Sequence, residues 1–322
     1  MRIENLWFGQ GWRPHVGRLL LLPITALYSL AWQVYLVFYR LGFKKALEPH
    51  PRVICIGNLT AGGSGKTPVT LFITDCLLKL GLQPIVSCSG YGSPASEAAQ
   101  MAPEGPLNPA EWGDEPSELR DFRPALPIVV GRRRVLAAEL AAKANPNSVL
   151  VLDDGFQHLP LHKHLTIILD ALNPANKLPF PSGPYREPRW NRSRADLSLP
   201  NDQFQIVYSA PEFVDPHGVL LSTPAEAVVL TAIARPDLFV ETLKAAGVTI
   251  TEVDSKPDHD PLNDPELFSR HNGKVVIVTM KDWVKLRTRE DLNKSQIVIA
   301  RRQASIEPKA EFIQWLKERI PE

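Results

Sequence analysis

The chain has 322 residues, enough for about two domains with a full hydrophobic core. Its formal net charge of +1 creates no strong field, so composition argues against a nucleic-acid-binding protein. The three cysteines, Cys55, Cys76 and Cys88, form no CxxC pair, which favours a reducing compartment.

An apolar segment runs from Leu19 to Tyr39 without a charged residue and has basic residues at both ends. Its length can span the hydrocarbon core of a bilayer, and Trp32 is typical of the membrane interface. A buried core helix, or one lying in the interface, is the alternative that Pro23 and Gln33 leave open. A cleaved signal peptide is disfavoured because the apolar run is long. Since both flanks are basic, charge does not set the orientation.

A short apolar strand, Val53 to Ile56, leads into a glycine-rich stretch that ends in Lys66 and Thr67, and a helical pattern follows from Pro68. This order is typical of a P-loop, whose backbone N–H groups surround phosphate oxygens at a helix N-terminus. An ordinary glycine-rich turn is the alternative, since the strict motif has glycine where this chain has Thr60. The predicted nucleotide contacts are Thr60, Ala61, Gly62, Gly63, Ser64, Gly65, Lys66 and Thr67.

A second buried strand, Ser148 to Leu152, ends in Asp153 and Asp154. An apolar strand that finishes in an acid is the Walker B arrangement, in which a carboxylate holds Mg²⁺ directly or through water. Adjacent side chains of a strand point to opposite faces, so both acids can face one metal only if a turn begins here. Caps of the following helix are the alternative role for these acids.

Three other charged clusters are ambiguous from their residues alone. Three arginines after Gly131 fit either a solvated helix start or anion binding. Arg186 and Glu187 lie between prolines as a rigidly held pair, or form a surface ion pair of little energetic value. The spacing of His158, His162 and His164 matches no zinc pattern, so a metal cluster is not predicted there.

Strands and helices alternate again after about Ser222, which predicts a second α/β layer. We therefore expect an α/β protein with an apolar N-terminal helix (1–45), a P-loop α/β/α domain (46–222) and a smaller α/β lobe (223–322). Phe204 to Val207 and Val219 to Leu221 are expected to pair as a two-stranded connection. The triplet Asp258-His259-Asp260 lies on a loop of the second lobe, where a histidine either relays a proton or is simply exposed to solvent.

These motifs, in this order behind an apolar segment, resemble the tetraacyldisaccharide 4'-kinase family, the lipid A 4'-kinases of Gram-negative bacteria. The resemblance covers nearly the whole chain and includes the Thr60 variant of the P-loop. The sequence elements that carry it are GNLTAGGSGKTP from Gly57, GDEP from Gly113, GRRR from Gly131, DDGFQH from Asp153, SGPYREP from Ser182, SRADL from Ser193, TAIARP from Thr231, PDH from Pro257 and MKDWVKL from Met280.

The resemblance implies transfer of the γ-phosphate of ATP, with Mg²⁺, to the 4'-hydroxyl of tetraacyldisaccharide 1-phosphate, which gives lipid IVA. It also implies a membrane surface as partner and a place on the cytoplasmic face of the inner membrane. The implied fold is a P-loop kinase with two α/β/α lobes. The acyl-chain preference and the oligomeric state do not follow from the sequence.

The residue roles combine the motifs with this resemblance. Lys66 is expected to stabilise the β- and γ-phosphates, and Thr67 with Asp153 or Asp154 to hold Mg²⁺. The family pattern makes Asp114 the base that takes the sugar hydroxyl proton, supported by His259 from the other lobe, so that lobe closure would belong to catalysis. The positions expected near the substrate or metal are Gln157, His158, Arg186 and Glu187.

Several positions depart from the family pattern, and two other functions stay open. The family's Ser-Arg-Gly-Tyr turn is Cys88-Ser89-Gly90-Tyr91 here, which loses a cation, and Ala232 and Met280 replace a glycine and an acid. One alternative is a membrane-tethered nucleotide switch, which would need no catalytic Asp114. Another is a kinase for a soluble small molecule, against which the apolar segment argues. GTP use is only mildly disfavoured by the absence of an N-K-x-D motif.

Overall fold

The computed structural model describes residues 3–63 and 65–320 of the chain. The chain divides into two compact units. Unit 1 contains the described parts of Met1–Ser87, Arg134–Ile206 and Ile306–Glu322, and unit 2 contains Cys88–Arg133 and Val207–Ser305. The segment Cys88–Arg133, predicted with the P-loop domain, therefore lies with Val207–Ser305, because its packing partners come from that later part of the sequence.

The elements agree with an α/β protein. The α-helices are α1 Ile3–Phe8, α2 Trp12–Arg40, α3 Lys66–Lys79, α4 Pro109–Trp112, α5 Asp114–Phe122, α6 Arg134–Ala144, α7 Pro236–Ala245, α8 Met280–Leu286 and α9 Lys309–Arg319. The strands are β1 Arg52–Asn58, β2 Gln83–Cys88, β3 Gln100–Met101, β4 Ile128–Val130, β5 Ser148–Asp153, β6 Leu165–Leu169, β7 Leu197–Leu199, β8 Gln205–Tyr208, β9 Glu212–Val214, β10 Leu220–Leu221, β11 Glu226–Thr231, β12 Thr249–Ser255, β13 Val276–Thr279, β14 Ile297–Arg301 and β15 Ala304–Glu307.

The sheet of unit 1 is parallel and runs in the order β2-β5-β1-β6-β7. Its central strands are buried along nearly their whole length, as their continuous apolar sequence predicts for strands covered on both faces. Ile56 of β1 pairs with Asp153 of β5, so both strands end at the same edge of the sheet. Because ligands bind beyond the carboxyl ends of parallel strands, this register brings the glycine-rich loop and the acid pair together.

Helix α2 of unit 1 includes the predicted apolar segment and extends it by one to two turns at its start. Among the described residues, this helix alone is long and apolar enough to cross a membrane. Only Thr25 and Leu36 of the helix are buried. The apolar side chains that stay exposed along it include Val16, Leu19, Leu20, Leu22, Ile24, Leu27, Leu30, Val34, Val37 and Phe38.

Unit 2 is built on a second sheet of order β10-β9-β14-β13-β11-β12, in which the last four strands are parallel. Strand β9 pairs antiparallel with β14, and β10 with β9. A core packs on each face of this sheet, one around Trp283 and Ile299, the other around Phe213 and Leu243. The short strands β3 and β4 pair antiparallel, and both also belong to unit 2.

The predicted pairing of Phe204 to Val207 with Val219 to Leu221 is wrong. Strand β8 pairs with β15, and β10 pairs with β9. The reason is a local turn: the backbone N–H of Asp215 donates to the Val219 carbonyl, and the Asp215 carboxylate accepts the backbone N–H groups of His217 and Val219. This Asp-based turn folds β10 directly back on β9, which the sequence analysis did not recognise as a strand.

Candidate active site

The glycine-rich loop follows β1 and has the backbone of a phosphate-binding loop. Gly62 and Gly65 adopt φ values of 95° and 76°, a left-handed region that favours glycine. Thr60 is not among the residues with positive φ, so threonine costs no backbone strain there. Helix α3 then begins at Lys66, which directs its first N–H groups and its positive end toward the loop. Ser64, a predicted nucleotide contact, lies outside the described residues.

The loop is tied to the segment that carries Arg186. The backbone N–H of Ala61 donates to the Pro184 carbonyl at 2.8 Å, and that of Arg186 donates to the Leu59 carbonyl at 2.7 Å. Ala61, Gly62 and Gly63 remain exposed beyond these bonds. The nucleotide loop is therefore supported on one side, while its glycine-rich tip is open to a ligand.

Asp153 and Asp154 have different surroundings. Asp153 is almost fully buried and accepts hydrogen bonds from the hydroxyls of Thr67 at 3.3 Å and Thr70 at 3.1 Å. Asp154 has φ 61°, so the chain leaves the strand here and a turn begins, as the sequence analysis required for two acids at one site. Its backbone N–H still donates to the Ile56 carbonyl of β1.

Asp154 lies between two cations of the site. Arg186 Nη1 donates to both of its oxygens at 2.9 and 2.8 Å, and Lys66 Nζ lies 3.4 Å from Oδ2. Burial alone would raise the pKa of the Asp154 carboxyl, but the charges of Lys66 and Arg186 outweigh it and lower that pKa below its usual value. The Asp154 carboxylate thus holds Lys66 of the P-loop and the Arg186 guanidinium close to each other.

The side chain of Arg134 stabilises the turn at Asp153 and Asp154 through hydrogen bonds. Its guanidinium is buried and donates to the Ser87 hydroxyl at 3.0 Å and to the carbonyls of Asp153 and Asp154 at 2.6 and 3.3 Å. Arg132 and Arg133 are exposed. The interpretation as a solvated helix start does not describe Arg134, whose structural role the sequence analysis missed because its partners lie on other segments.

Glu187 is the centre of a buried polar cluster rather than an exposed contact. It has no exposed surface and accepts hydrogen bonds from Gln157 at 3.0 Å, Asn191 at 2.9 Å and Arg194 at 2.6 Å. Gln157 also donates to the carbonyl of Asn58, the last residue of β1. These hydrogen bonds indicate that Glu187 positions the side chain of Gln157. The expectation that Glu187 lies near the substrate stays a prediction.

His158 is held as a neutral imidazole. Burial, helped by the nearby charge of Arg134, lowers its pKa to about 4. Its Nε2 atom is buried and makes no hydrogen bond with the described residues. A buried, uncharged imidazole nitrogen without a partner fits a ligand group that can share a hydrogen bond.

His162 and His164 approach Glu48 instead of His158. Nδ1 of His164 accepts the backbone N–H of Val53 at 3.0 Å, so the ring proton of the neutral imidazole lies on Nε2. That nitrogen faces Glu48 Oε1 at 3.4 Å. With its proton on Nε2, His164 faces Glu48 as a donor rather than as a metal ligand, and the contact joins two loops of unit 1.

Helix α2 makes specific polar contacts with the loop that carries Arg186 and Glu187. The Tyr28 hydroxyl donates to the Arg186 carbonyl, and Gln33 Nε2 donates to Asn191 Oδ1 at 3.1 Å. One turn earlier, the Thr25 hydroxyl donates to the Ser182 hydroxyl at 2.7 Å. The apolar helix is therefore docked in unit 1 by side chains that are next to predicted site residues.

Unit 2 brings together the two residues predicted as a base and its partner. Asp114 begins helix α5, and its Oδ2 lies 3.3 Å from Nδ1 of His259, which has φ 63°. Lys285 Nζ lies 3.3 Å from the same oxygen. Burial opposes ionisation of Asp114, but His259 and the nearby lysines outweigh it and lower its pKa. Since both residues belong to unit 2, their contact needs no closure of one lobe on another.

Three of the positions that depart from the family pattern, Cys88, Ala232 and Met280, are buried, whereas Ser89, at the position that loses the cation, is half-buried. Cys88 ends β2 and is fully buried, and Met280 starts α8 within the apolar core that includes Trp283. The backbone N–H of Ala232 donates to Asp282, a buried acid that also accepts the Thr231 hydroxyl. Burial raises the pKa of Asp282 despite these hydrogen bonds. The three buried side chains pack within the described structure, and the effect of the departures on ligand contacts stays a prediction.

Comparison with known proteins finds matches over nearly the whole chain. Residues 17–321 match the family described as Tetraacyldisaccharide-1-P 4'-kinase. The tetraacyldisaccharide 4'-kinase of Shewanella loihica is 31% identical, covering 88% of each chain. That of Aeromonas hydrophila is 31% identical over 89% of this chain and 87% of its own. Among solved structures, LpxK from Aquifex aeolicus, crystallised in complex with ATP, has a TM-score of 0.80 at 25% identity and covers 94% of this chain and 99% of its own. The chain belongs to the tetraacyldisaccharide-1-P 4'-kinase family.

Proposed function

We propose that this protein transfers the γ-phosphate of ATP to the 4'-hydroxyl of tetraacyldisaccharide 1-phosphate and thereby forms lipid IVA. The observation that supports this most directly is the junction of P-loop and acid pair in unit 1. Lys66 and Thr67 open helix α3 within reach of Asp154 and Asp153, at the shared edge of β1 and β5. A chain of this family with that junction intact has the means to bind and activate a nucleoside triphosphate.

The residues present fit Mg²⁺ with ATP. Thr67 supplies a hydroxyl and Asp153 a carboxylate 3.3 Å from it, both oxygen donors of the kind that a small hard cation prefers. When bound, the cation would neutralise charge on the phosphates. Lys66 would pair with the β- and γ-phosphates, and the backbone N–H groups of the loop would surround them. Asp154, already engaged by Arg186 and Lys66, is then best suited to orient those cations.

Asp114 serves as the base in this proposal. Its lowered pKa keeps it ionised at neutral pH, so it can accept the proton of the sugar hydroxyl. Nδ1 of His259 lies against one carboxylate oxygen at 3.3 Å, which leaves the other oxygen for the substrate. His259 therefore orients Asp114, in the way that a second group orients the base in other catalytic dyads.

The acceptor is proposed to lie near the segment from Gln157 to His158 and near Arg186. The unpartnered Nε2 of His158 can share a hydrogen bond with a sugar hydroxyl, and Arg186 offers a guanidinium to a phosphate. Helix α2 would keep this region close to a lipid surface, on the cytoplasmic face of the inner membrane where ATP is available. Its exposed apolar side chains support that placement.

The test is a phosphate-transfer assay with the full chain in detergent, γ-labelled ATP, Mg²⁺ and tetraacyldisaccharide 1-phosphate. Asp114→Ala is measured beside Asp264→Ala, a control acid of unit 2 that is half-exposed, pairs with Arg270 and accepts the backbone N–H of Glu266. We expect label in the lipid with wild type and the control, and a loss of about 100-fold or more with Asp114→Ala.

Two outcomes would change the proposal. Equal transfer by wild type and Asp114→Ala would keep the kinase and remove Asp114 as base. No transfer by wild type that nevertheless binds ATP would reject the kinase and favour a nucleotide switch tethered to the membrane.

A further inference from the structure

Lys281 contacts Nε2 of His259, the ring nitrogen that does not face Asp114, and this contact decides which nitrogen carries the imidazole proton. Lys281 Nζ lies 3.3 Å from Nε2 of His259 and 3.3 Å from Oδ1 of Asp258. An ammonium group carries only donors, so Nε2 must be the acceptor of this contact. A neutral imidazole whose Nε2 accepts carries its proton on Nδ1.

The proton on Nδ1 is the one that Asp114 needs. Nδ1 faces Asp114 Oδ2 at 3.3 Å, and a carboxylate can only accept. The chain of contacts therefore has one consistent direction, in which Lys281 donates to His259 and His259 donates to Asp114. Lys285, nearly buried, adds a second cation 3.3 Å from the same oxygen of Asp114.

Asp258 shows why the lysine is needed. Its Oδ2 lies 3.7 Å from Nε2 of His259, slightly beyond hydrogen-bond distance. Without a cation between them, this carboxylate would compete with Asp114 for the imidazole proton, and wherever the proton moved to Nε2, the bare Nδ1 would face the Asp114 carboxylate. Two acceptors would be opposed at that contact, so the orientation of Asp114 would be lost.

We propose that Lys281 is a positioning residue for phosphate transfer, which fixes the Nδ1–H tautomer of His259 and through it the orientation of the Asp114 carboxylate. This inference rests on the proposed roles of Asp114 and His259. Lys281 acts through His259 and is assigned no contact with substrate or nucleotide. Its side chain is 18% exposed, held between Asp258 and His259.

The first experiment reads the tautomer directly and needs no catalysis. The full chain, labelled with ¹⁵N at histidine and kept in detergent, is examined by NMR, with the His259 signals assigned by their loss in His259→Gln. We expect wild type to carry its proton on Nδ1 only. Lys281→Met should show protonation of Nε2, whereas Lys281→Arg, which keeps a charged donor, should retain the wild-type pattern. A wild-type His259 protonated on Nε2, or a tautomer unchanged in Lys281→Met, would overturn the inference.

The second experiment reads the consequence for turnover. We expect Lys281→Met to lower kcat at least about tenfold, since a wrong tautomer is costly in a comparable dyad, and to leave the KM for ATP within about twofold. Lys281→Arg should recover most of the loss. Lys274→Met is the matched control, because Lys274 pairs with half-exposed Glu252 in the same unit. A kcat of Lys281→Met equal to that of the control would overturn the positioning role. If wild type transfers no phosphate, the proposed function fails, while the tautomer experiment still decides the inference about Lys281.

Discussion

The Tyr28 hydroxyl of helix α2 donates to the main-chain carbonyl of Arg186, whose guanidinium binds both carboxylate oxygens of Asp154. Asp154 in turn lies 3.4 Å from Lys66 of the P-loop. An exposed apolar helix is thus connected to the nucleotide loop through three side chains. Gln33 makes a parallel connection through Asn191 to Glu187.

Tyr28→Phe should loosen this connection without removing apolar surface from the helix. The lost hydrogen bond is worth about 1 kcal/mol, and the Arg186 carbonyl loses its partner. We expect a several-fold lower kcat/KM for lipid and faster amide exchange in residues 182–188. Tyr39→Phe is the control, since the Tyr39 hydroxyl contacts only Tyr35 of the same helix among the described residues. Equal exchange in both variants would mean that Tyr28 does not hold the loop.

Arg186→Met should destabilise unit 1 as well as lower turnover. It removes two charge-assisted hydrogen bonds and leaves Asp154, whose side chain is 19% exposed, with less compensation. The expected cost is about 1–3 kcal/mol in the free energy of unfolding, measured by urea titration. Arg186→Lys keeps the charge but lacks the planar guanidinium that reaches both Asp154 oxygens through Nη1, so an intermediate loss is expected. If Lys restored full stability and turnover, charge alone would explain the contact.

Two substitutions of Thr67 distinguish a role in binding Mg²⁺ from a role in folding. Thr67→Ser keeps the hydroxyl that faces Asp153, whereas Thr67→Val keeps the shape and loses the oxygen. We expect Ser to retain most activity and Val to lose about tenfold or more in kcat, with a higher Mg²⁺ concentration needed for half-maximal rate. Identical Mg²⁺ titrations of the two variants would remove Thr67 from the metal site. Chelation of Mg²⁺ should abolish transfer by wild type.

His158 should make the protein sensitive to mild acid. Its pKa is about 4 when folded, against about 6.5 for an ordinary histidine, so the unfolded chain binds its proton first. Between these two values the unfolded state takes up more protons, and stability falls as pH falls from about 6.5 toward 4. His158→Gln should reduce that loss in melting temperature across the window. His50→Gln, at an exposed position of unit 1, is the control and should follow wild type; the same acid sensitivity in His158→Gln would exclude His158 as the cause.

Much of the nucleotide site could be predicted from local sequence. A buried strand followed by glycines, Lys66 and Thr67 predicts a phosphate-binding loop. The conformation of the glycine backbone and the start of the helix depend on residues that are adjacent in the chain. The turn at Asp154 was likewise required by the alternation of side chains along a strand, and its φ of 61° agrees. The pairing of β10 was mispredicted because a single aspartate-based turn at Asp215 outweighed the expected longer-range pairing.

The sequence by itself determined the α/β class, the long apolar helix, the P-loop and acid pair, and the family to which the chain belongs. Only the tertiary structure decided that Glu187 is buried under Asn191 and Arg194, that Arg134 braces the acid turn, and that Lys281 faces His259. The physical reason is that backbone conformation depends on neighbours in the chain. Burial, ionisation and the position of a proton depend on charges and donors that folding brings from distant segments.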